Sequence, residues 1–214
     1  MSLKLGSLAP DFEAESTHGT LRFHEWAGDS WVVFFSHPAD YAPVCTTELG
    51  AVARLLPEFE RRRCKVLALS VDELDAHEGF VPDVEATQEV KVGFPIVADP
   101  SSEVARAYAM IHPAMSTKLT ARSVLVIDPD KKVRATLAYP LTTGRNFVEV
   151  LRLLDGIQIT EAHPVATPAQ WESGDDVLIV PYLRDPEELK ARFPGGFTEL
   201  TPYLRFAPAP TKDD

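Results

Sequence analysis

The sequence predicts a three-layer α/β domain with a mixed central sheet, followed by a proline-rich C-terminal extension. Three observations support this prediction. Short apolar runs alternate with amphipathic helical patterns up to about residue 158, as expected when helices cover both faces of a sheet. Near the end of that region, two strand patterns joined by a tight turn predict a hairpin. Residues 159–214 contain eight prolines and few periodic apolar positions.

The individual elements follow from the spacing of the apolar residues. Continuous apolar runs predict strands that are buried on both faces, and apolar residues that recur every three or four positions predict helices. Pro57 is expected to bend or end the first helix, and Ser101 to cap a later one. The predicted strands span residues 31–35, 66–71, 94–99, 122–128 and 132–139. The predicted helices span residues 46–59, 102–110 and 146–156, with mixed helix and loop over residues 75–90.

We therefore divide the chain into a domain over residues 1–158 and an extension over residues 159–214. The extension shows one short strand pattern at residues 177–180 and one short helix at residues 186–193. Because so few periodic apolar residues can hardly bury a core, we expect it to pack along the main domain or a partner subunit. The second hairpin strand, residues 133–139, is a candidate edge strand for a homodimer or higher homo-oligomer.

Composition and charge narrow the choice of partners and compartment. The chain has 214 residues and a net charge of -11, which argues against nucleic acid or an anionic membrane surface as a partner. No segment approaches membrane-spanning length, and the N-terminus lacks the apolar core of a signal peptide. We therefore expect a cytoplasmic protein without a membrane partner.

The chain has two cysteines, Cys45 and Cys64, and no C-x-x-C pair, which weakens both a zinc site and a dithiol redox motif. Cys64 precedes a buried strand pattern and is predicted to be a structural core residue. Cys45 is placed where a loop enters a helix, and the unpaired backbone N–H groups and helix dipole there favour a thiolate. A buried structural role for Cys45 is the alternative, although Pro38 and Pro43 indicate a fixed loop rather than a packed strand.

The segment Pro38-x-x-x-Ala42-x-x-Cys45-Thr46-Thr47-Glu48-Leu49, together with Arg122, resembles the peroxiredoxins, most closely the one-cysteine, peroxiredoxin-six type. The resemblance implies a thioredoxin-like fold with a C-terminal extension. It also implies a thiol peroxidase that needs no cofactor or metal. Further similar stretches are Ala9–Phe12, Gly28–Trp31, Ser36–Pro38, Ala68–Asp72, Thr120–Arg122, Pro129–Lys132, Tyr139–Pro140, Thr142–Asn146 and Val165–Pro168.

The resemblance also assigns roles to individual residues. Cys45 would be the nucleophile that is oxidised to a sulfenic acid by a hydroperoxide, and Arg122 would place positive charge near sulfur and peroxide. Glu48 would hold an arginine through a bidentate contact. No cysteine follows Cys64, so reduction is expected to come from an outside thiol or another external reductant. The remaining residues of the predicted substrate pocket are His37, Pro38, Ala42, Val44 and Arg145.

Ala42 departs from the family pattern, which has threonine or occasionally serine three residues before the cysteine. Its methyl group cannot form the hydrogen bond to peroxide that a hydroxyl provides, and losing one such preorganised donor typically costs about 10²–10³ in rate. We therefore predict a slow peroxidase. Thr46 or a water molecule are candidates to replace the missing hydroxyl.

Three other interpretations remain open at this level. A non-cycling peroxide sensor or a chaperone could use the same scaffold. A phospholipase activity could use Ser30, with His24 and Asp130, in the lipase-like segment Gly28–Val32. However, Val32 replaces the second glycine of that motif, and the strand follows the serine instead of preceding it. Finally, oxidised Cys45 could form a disulfide with Cys64.

Overall fold

The computed structural model describes residues 3–210. Residues 1–2 and 211–214, which belong to the predicted N-terminal domain and extension, lie outside the described residues. The strands are β1 (Glu13–Ala14), β2 (Leu21–Arg22), β3 (Trp31–Ser36), β4 (Cys64–Ser70), β5 (Ile96–Ala98), β6 (Arg122–Ile127), β7 (Val133–Tyr139), β8 (Val165–Ala166), β9 (Val177–Ile179), β10 (Thr198–Thr201) and β11 (Leu204–Ala207). The helices are α1 (Phe23–Ala27), α2 (Pro43–Arg61), α3 (Leu74–Gln88), α4 (Glu103–Ala107), α5 (Phe147–Ala162) and α6 (Pro186–Arg192).

The central sheet has five strands in the order β5-β4-β3-β6-β7. Strands β3, β4 and β5 are parallel, whereas β6 is antiparallel to both β3 and β7. The predicted mixed sheet and hairpin are therefore confirmed. All six residues of β3 are buried, which explains why its sequence is continuously apolar rather than alternating.

Helices lie on both faces of this sheet. On one face Phe34 of β3 and Leu67 of β4 join a buried cluster with Phe23 of α1 and Val104 of α4. On the other side, α2 and α3 contact each other, and they contact β4 and β5 respectively. The three-layer α/β architecture of a thioredoxin-like fold is thus confirmed.

Helix α2 is longer than predicted at both ends. It begins at Pro43, whose fixed φ suits the first helical position, so Cys45 lies in the first turn. It also continues through Pro57 to Arg61. Pro57 therefore does not end the helix, and that part of the prediction is wrong. The apolar face remains buried as far as Phe59, and this packing outweighs the one backbone hydrogen bond that proline cannot make.

Two further helix predictions need correction. The region predicted as mixed helix and loop forms the continuous helix α3, which ends at Glu89 in a left-handed conformation with φ of 53°. Helix α4 is shorter than predicted, and Asp99 caps it more closely than Ser101, whose hydroxyl accepts from the Glu103 N–H at 3.3 Å. The Asp99 carboxylate accepts hydrogen bonds from the backbone N–H groups of Glu103 and Ala105 at 3.0 and 2.7 Å.

The chain divides into two compact units, one ending at Phe147 and the other beginning at Val148. The second unit contains a four-stranded antiparallel sheet in the order β10-β11-β9-β8. It also has its own apolar cluster, so the prediction that the extension cannot bury a core is wrong. The buried members are Val165, Trp171, Val177, Ile179, Leu183, Leu189, Phe193 and Ala207. Their irregular spacing, partly in loops, hides this core from a search for periodic patterns. The boundary predicted at residue 158, between the peroxiredoxin-like domain and the C-terminal extension, stays a prediction.

Among residues 3–210, no helix combines the length and the apolar composition that crossing a membrane requires.

Candidate active site

Cys45 lies in the first turn of α2 and is fully buried. The loop from β3 reaches the helix through Ala42, which occupies the N-cap position with an extended backbone and no side-chain cap. The sulfur therefore lies at the positive end of a long helix. The predicted placement of Cys45 at a loop-to-helix junction is confirmed.

Arg122 is the charged group that contacts this sulfur. It is the first residue of β6, its Nη1 lies 3.4 Å from the Cys45 Sγ, and it is 2 % exposed. The same Nη1 donates to the Glu48 carboxylate at 2.7 Å, and Nε donates to the Leu141 carbonyl at 2.8 Å. Because two acceptors fix the guanidinium, its charge is held beside the sulfur rather than in solvent.

Glu48 connects Arg122 to Arg145. It lies about one turn along α2 from Cys45, and its Oε2 accepts hydrogen bonds from both arginines at 2.7 Å. Its Oε1 accepts from Nε and the backbone N–H of Arg145 at 2.9 and 2.8 Å. The bidentate contact predicted for Glu48 is therefore made to Arg145.

Arg145 anchors this cluster to the sheet. Its Nη1 donates to the carbonyls of Ser36 and Ser123 at 2.9 and 2.8 Å, at the ends of β3 and β6. The guanidinium carbon lies 4.9 and 5.2 Å from the ring centroids of Phe35 and Phe147. Arg145 therefore holds Glu48, and through it Arg122, in a fixed position relative to the sheet.

The buried cluster carries more positive than negative charge. Burial raises the pKa of Glu48, but the hydrogen bonds and charge of Arg145, followed by the charge of Arg122, outweigh it and hold that pKa below its ordinary value. Burial lowers the pKa of Arg145, which Glu48 partly restores. One carboxylate thus faces two guanidinium groups, so the cluster beside the Cys45 sulfur has an excess of positive charge.

The lowered pKa of Glu48 predicts loss of stability in acid. The ionised carboxylate stabilises the folded state above the ordinary glutamate value, and this contribution is lost as the pH falls from that value through the lower folded pKa. We expect the free energy of unfolding in urea to decrease across this acid range. The Glu48→Gln variant should show a shallower decrease, whereas Glu60→Gln, which changes an exposed glutamate on the same helix, should keep the original slope. Equal slopes for all three proteins would contradict this assignment.

His37 and Pro38 follow directly after β3, and both are buried. The His37 backbone N–H donates to the Leu69 carbonyl at 2.9 Å, and its carbonyl accepts from the Thr120 hydroxyl at 2.8 Å. Its Nε2 lies 2.8 Å from Asp40, whose other carboxylate oxygen lies 2.6 Å from the Nδ1 of His77. Asp40 and His77 are residues of this region that the sequence did not predict. The His-x-x-Asp spacing was a usable signal for Asp40, but His77 comes from α3 and gives no local signal.

Ala42 and Val44 are partly buried on either side of Pro43. The Thr46 hydroxyl, considered above as a replacement for the missing hydroxyl at position 42, donates to the Ala42 carbonyl at 3.1 Å. Because its one proton is engaged there, Thr46 can offer only acceptor lone pairs. Val44 lies close to Gly144, where an added Cβ would be 3.4 Å from a Val44 methyl group.

Cys64 lies at the opposite end of the sheet. It pairs with Trp31 at the start of β3, whereas Cys45 follows the end of that strand at Ser36. The length of β3 corresponds to about 17 Å at the usual rise per residue, far beyond the Cα separation that a disulfide allows. Burial raises the pKa of Cys64 to about 12, which keeps it a thiol. These observations support a structural role for Cys64.

The structure gives no support to a hydrolase site at Ser30. The Nε2 of His24 contacts the Ala9 carbonyl at 2.8 Å, and its Nδ1 lies 3.9 Å from Asp11. The side chain of Asp130 is 81 % exposed and lies 3.9 Å from Lys132. Within residues 3–210, no recorded hydrogen bond joins Ser30, His24 and Asp130 into a triad.

Two family models match the chain. Residues 5–136 match the AhpC/TSA family, and residues 156–196 match the C-terminal domain of 1-Cys peroxiredoxin. Together these matches cover most of the described chain. The first includes Cys45, Glu48 and Arg122 but not Arg145, and the second includes part of the C-terminal sheet.

Individual relatives are similar over nearly the whole chain. A 1-Cys peroxiredoxin of Dictyostelium discoideum is 49% identical over 210 residues, covering 98% of this chain and 87% of the relative. Peroxiredoxin-6 of Homo sapiens is 45% identical over 221 residues, covering 97% and 98% respectively.

Solved structures of the same class superpose closely. A yeast mitochondrial 1-Cys peroxiredoxin matches with a TM-score of 0.89 and 45% identity over 96% of this chain and 99% of that one. A cysteine-to-serine mutant of peroxiredoxin 6 from Arenicola marina matches with a TM-score of 0.90 and 43% identity, covering 99% and 100%. The family models, the sequence relatives and the solved structures all indicate the same family. The chain therefore belongs to the peroxiredoxin family of thiol peroxidases, in its one-cysteine class.

Proposed function

We propose that this chain reduces hydrogen peroxide and organic hydroperoxides through a sulfenic acid on Cys45, at a rate slowed by Ala42. The observation that carries the proposal is the 3.4 Å contact between Arg122 Nη1 and the Cys45 sulfur. The excess positive charge of the buried cluster supports a reactive thiolate at this position.

The chemical step uses the groups that the structure brings together. The thiolate of Cys45 attacks one oxygen of the hydroperoxide, an S–O bond forms and the O–O bond breaks. The sulfur is oxidised by two electrons to the sulfenic acid, and the other oxygen leaves as an alkoxide or hydroxide that takes a proton from solvent. Arg122 would stabilise the charge that develops on the leaving oxygen, while Glu48 and Arg145 keep that guanidinium in place.

Reduction of the sulfenic acid would need an external thiol. Cys64 lies at the other end of β3 and cannot resolve it without large rearrangement. An incoming thiol would form a mixed disulfide with Cys45 and release water, and a second thiol would regenerate the cysteine. The yeast mitochondrial relative is described as resolved via glutathione/thioredoxin systems, which supports a thiol reductant here.

A non-cycling peroxide sensor, or a chaperone on the same scaffold, is the second candidate. Ala42 favours it, because the helix N-terminus has no side-chain hydroxyl at that position and a peroxide would be held by fewer groups. Such a protein would be oxidised at Cys45 but would not turn over when a reductant is supplied.

Mass spectrometry combined with a turnover assay separates these candidates. We expect one equivalent of hydrogen peroxide to add one oxygen to the Cys45 peptide, which dimedone should trap as a sulfenic acid. The Cys64 peptide serves as the internal control and should remain unmodified. Repeated peroxide consumption with dithiothreitol would support the peroxidase, and a single oxidation without turnover would support the sensor. Oxidation at Cys64 alone, or at neither cysteine, would refute both.

Assembly and compartment stay predictions. Strand β7 lies at one edge of the five-stranded sheet. Its first residue, Val133, bonds to Gly6 and Ser7 of the same chain, so the rest of this edge is the part proposed for the predicted homodimer or higher homo-oligomer. The relatives include a mitochondrial peroxiredoxin, and the predicted cytoplasmic location of this chain is therefore an expectation from its sequence alone.

A further inference from the structure

Three buried side chains form a hydrogen-bonded chain beside the Cys45 cluster. His37 Nε2 lies 2.8 Å from Oδ1 of Asp40, and His77 Nδ1 lies 2.6 Å from Oδ2 of the same carboxylate. The side chains of His37 and His77 are fully buried, and that of Asp40 is 2 % exposed. The Asp40 backbone N–H is also fixed, because it donates to the Asp72 carboxylate at 2.9 Å.

The hydrogen bonds among these three side chains indicate where their protons lie. Burial raises the pKa of Asp40, but the hydrogen bonds from His37 and His77 outweigh it, so the pKa falls below its ordinary value. Burial lowers the pKa of His37, which Asp40 offsets only in part. A neutral His37 beside an ionised Asp40 carries its proton on Nε2 and donates it to the carboxylate. The Nδ1 of His37 is then an unprotonated acceptor.

That Nδ1 atom has no hydrogen-bond partner, although it is buried. Leaving a buried polar atom unpaired destabilises the folded state. The atom is therefore free to accept a hydrogen bond from a donor that enters the site.

The position of His37 connects it with the Cys45 cluster. Its neighbour Ser36 accepts a hydrogen bond from Arg145, and its own carbonyl accepts from Thr120, which lies two residues before Arg122. The charge of Arg145 is close enough to contribute to the lowered pKa of His37. The backbone at His37 is thus bonded to the same segments that hold Arg122 and Arg145, and its imidazole lies within electrostatic range of Arg145.

The geometry of these three side chains suits hydrogen bonds between them better than the binding of a metal ion. His37, Asp40 and His77 have the composition of a metal site, and their nearest ligand atoms lie within 4.8 Å of one another. However, each histidine faces a different oxygen of Asp40 at hydrogen-bond distance. A zinc ion would need one atom of each residue at about 2.0–2.2 Å from a single point.

We propose that Asp40 and His77 are positioning residues that hold His37 in its Nε2–H tautomer, so that the buried Nδ1 accepts the O–H of a bound hydroperoxide. His77 orients Asp40, and Asp40 selects the tautomer of His37. This contact would partly replace the hydroxyl that is missing at Ala42. The inference rests on the proposed function, since it names a group that would hold the substrate of Cys45.

The Asp40→Asn variant tests the tautomer directly. The asparagine amide can donate to His37 Nε2, which would move the imidazole proton to Nδ1 and remove the acceptor. We expect the second-order rate of Cys45 oxidation by hydrogen peroxide to fall about tenfold, the size of one lost hydrogen bond. Alkylation of Cys45 by iodoacetamide, which offers no peroxide O–H, should change less than twofold. Asp128→Asn is the matched control, because Asp128 is also buried and pairs with Arg134 instead.

Nitrogen NMR of the unmodified protein provides a second test that does not depend on the variant folding. With ¹⁵N-labelled histidine, we expect the His37 proton on Nε2 in the reduced protein. A His37 proton on Nδ1 in the unmodified protein would overturn the proposal. It would also be overturned if peroxide and iodoacetamide rates fell equally in Asp40→Asn, or if neither changed. Failure of the unmodified chain to consume peroxide would instead count against the proposed function.

Discussion

Replacing Ala42 with threonine should raise the second-order rate of Cys45 oxidation by hydrogen peroxide about 10²–10³-fold. The hydroxyl would add an oriented hydrogen-bonding group three residues before the cysteine. Thr46 cannot supply the same group, since its hydroxyl proton is engaged by the Ala42 carbonyl. Stopped-flow oxidation kinetics at one pH would give the rate for both proteins.

The backbone at position 42 can accept threonine without strain. Its φ of -90° and ψ of 134° lie in the extended region that β-branched residues favour. A hydroxyl at an N-cap can also accept a backbone N–H of the first helical turn, which typically adds about 1 kcal/mol of stability over alanine. The same oxygen can still donate its own proton to a peroxide oxygen.

Ala42→Val is the matched control for this substitution, because valine has nearly the shape of threonine and no hydroxyl. It should leave the peroxide rate near that of the unmodified chain or below it. Iodoacetamide alkylation should differ little among the three proteins. If valine accelerated oxidation as much as threonine, the missing hydroxyl would not account for the difference in rate.

The sequence was informative about the position of Cys45 because the relevant signals are local. The loop with two prolines and the periodic helix that follows place Cys45 in a first helical turn, and Glu48 lies about one turn further. Arg122 is different. It contacts Cys45 across 77 positions of the chain, so only the family resemblance could bring the two together.

Contacts between distant segments account for what the sequence did not predict. His77 reaches Asp40 across 37 positions from another helix, and no periodicity records that contact. In the second unit, the core depends on residues in loops and very short strands, such as Trp171 and Leu183. By contrast, the central strands were found because burial on both faces leaves a continuous apolar run.

Replacing Glu48 with glutamine should have the largest effect on stability. Glutamine keeps the shape of the side chain but leaves Arg122 and Arg145 buried without a counter-charge. Removing one partner of a buried ion pair typically costs about 3–5 kcal/mol. We expect a loss of this size in the free energy of unfolding, measured in urea at neutral pH.

Glu149→Gln supplies the control for that measurement. Glu149 also pairs with an arginine, Arg152, but their side chains are 38% and 31% exposed, and pairs open to solvent contribute at most about 1 kcal/mol. The same chemical change should therefore cost far less at position 149 than at position 48. Similar losses at both positions would show that burial of the Glu48 cluster does not determine its contribution.

The same Glu48→Gln variant distinguishes two effects of Glu48, one on the charge beside Cys45 and one on the position of Arg122. Without the carboxylate, the positive charge beside Cys45 increases, so alkylation by iodoacetamide should be unchanged or faster. Arg122, however, would keep only its Leu141 contact as a fixed acceptor, and its alignment with the peroxide would loosen. We therefore expect the peroxide rate to fall about tenfold or more while the alkylation rate does not. A parallel fall in both rates would mean that Glu48 acts through the thiolate and not through the placement of Arg122.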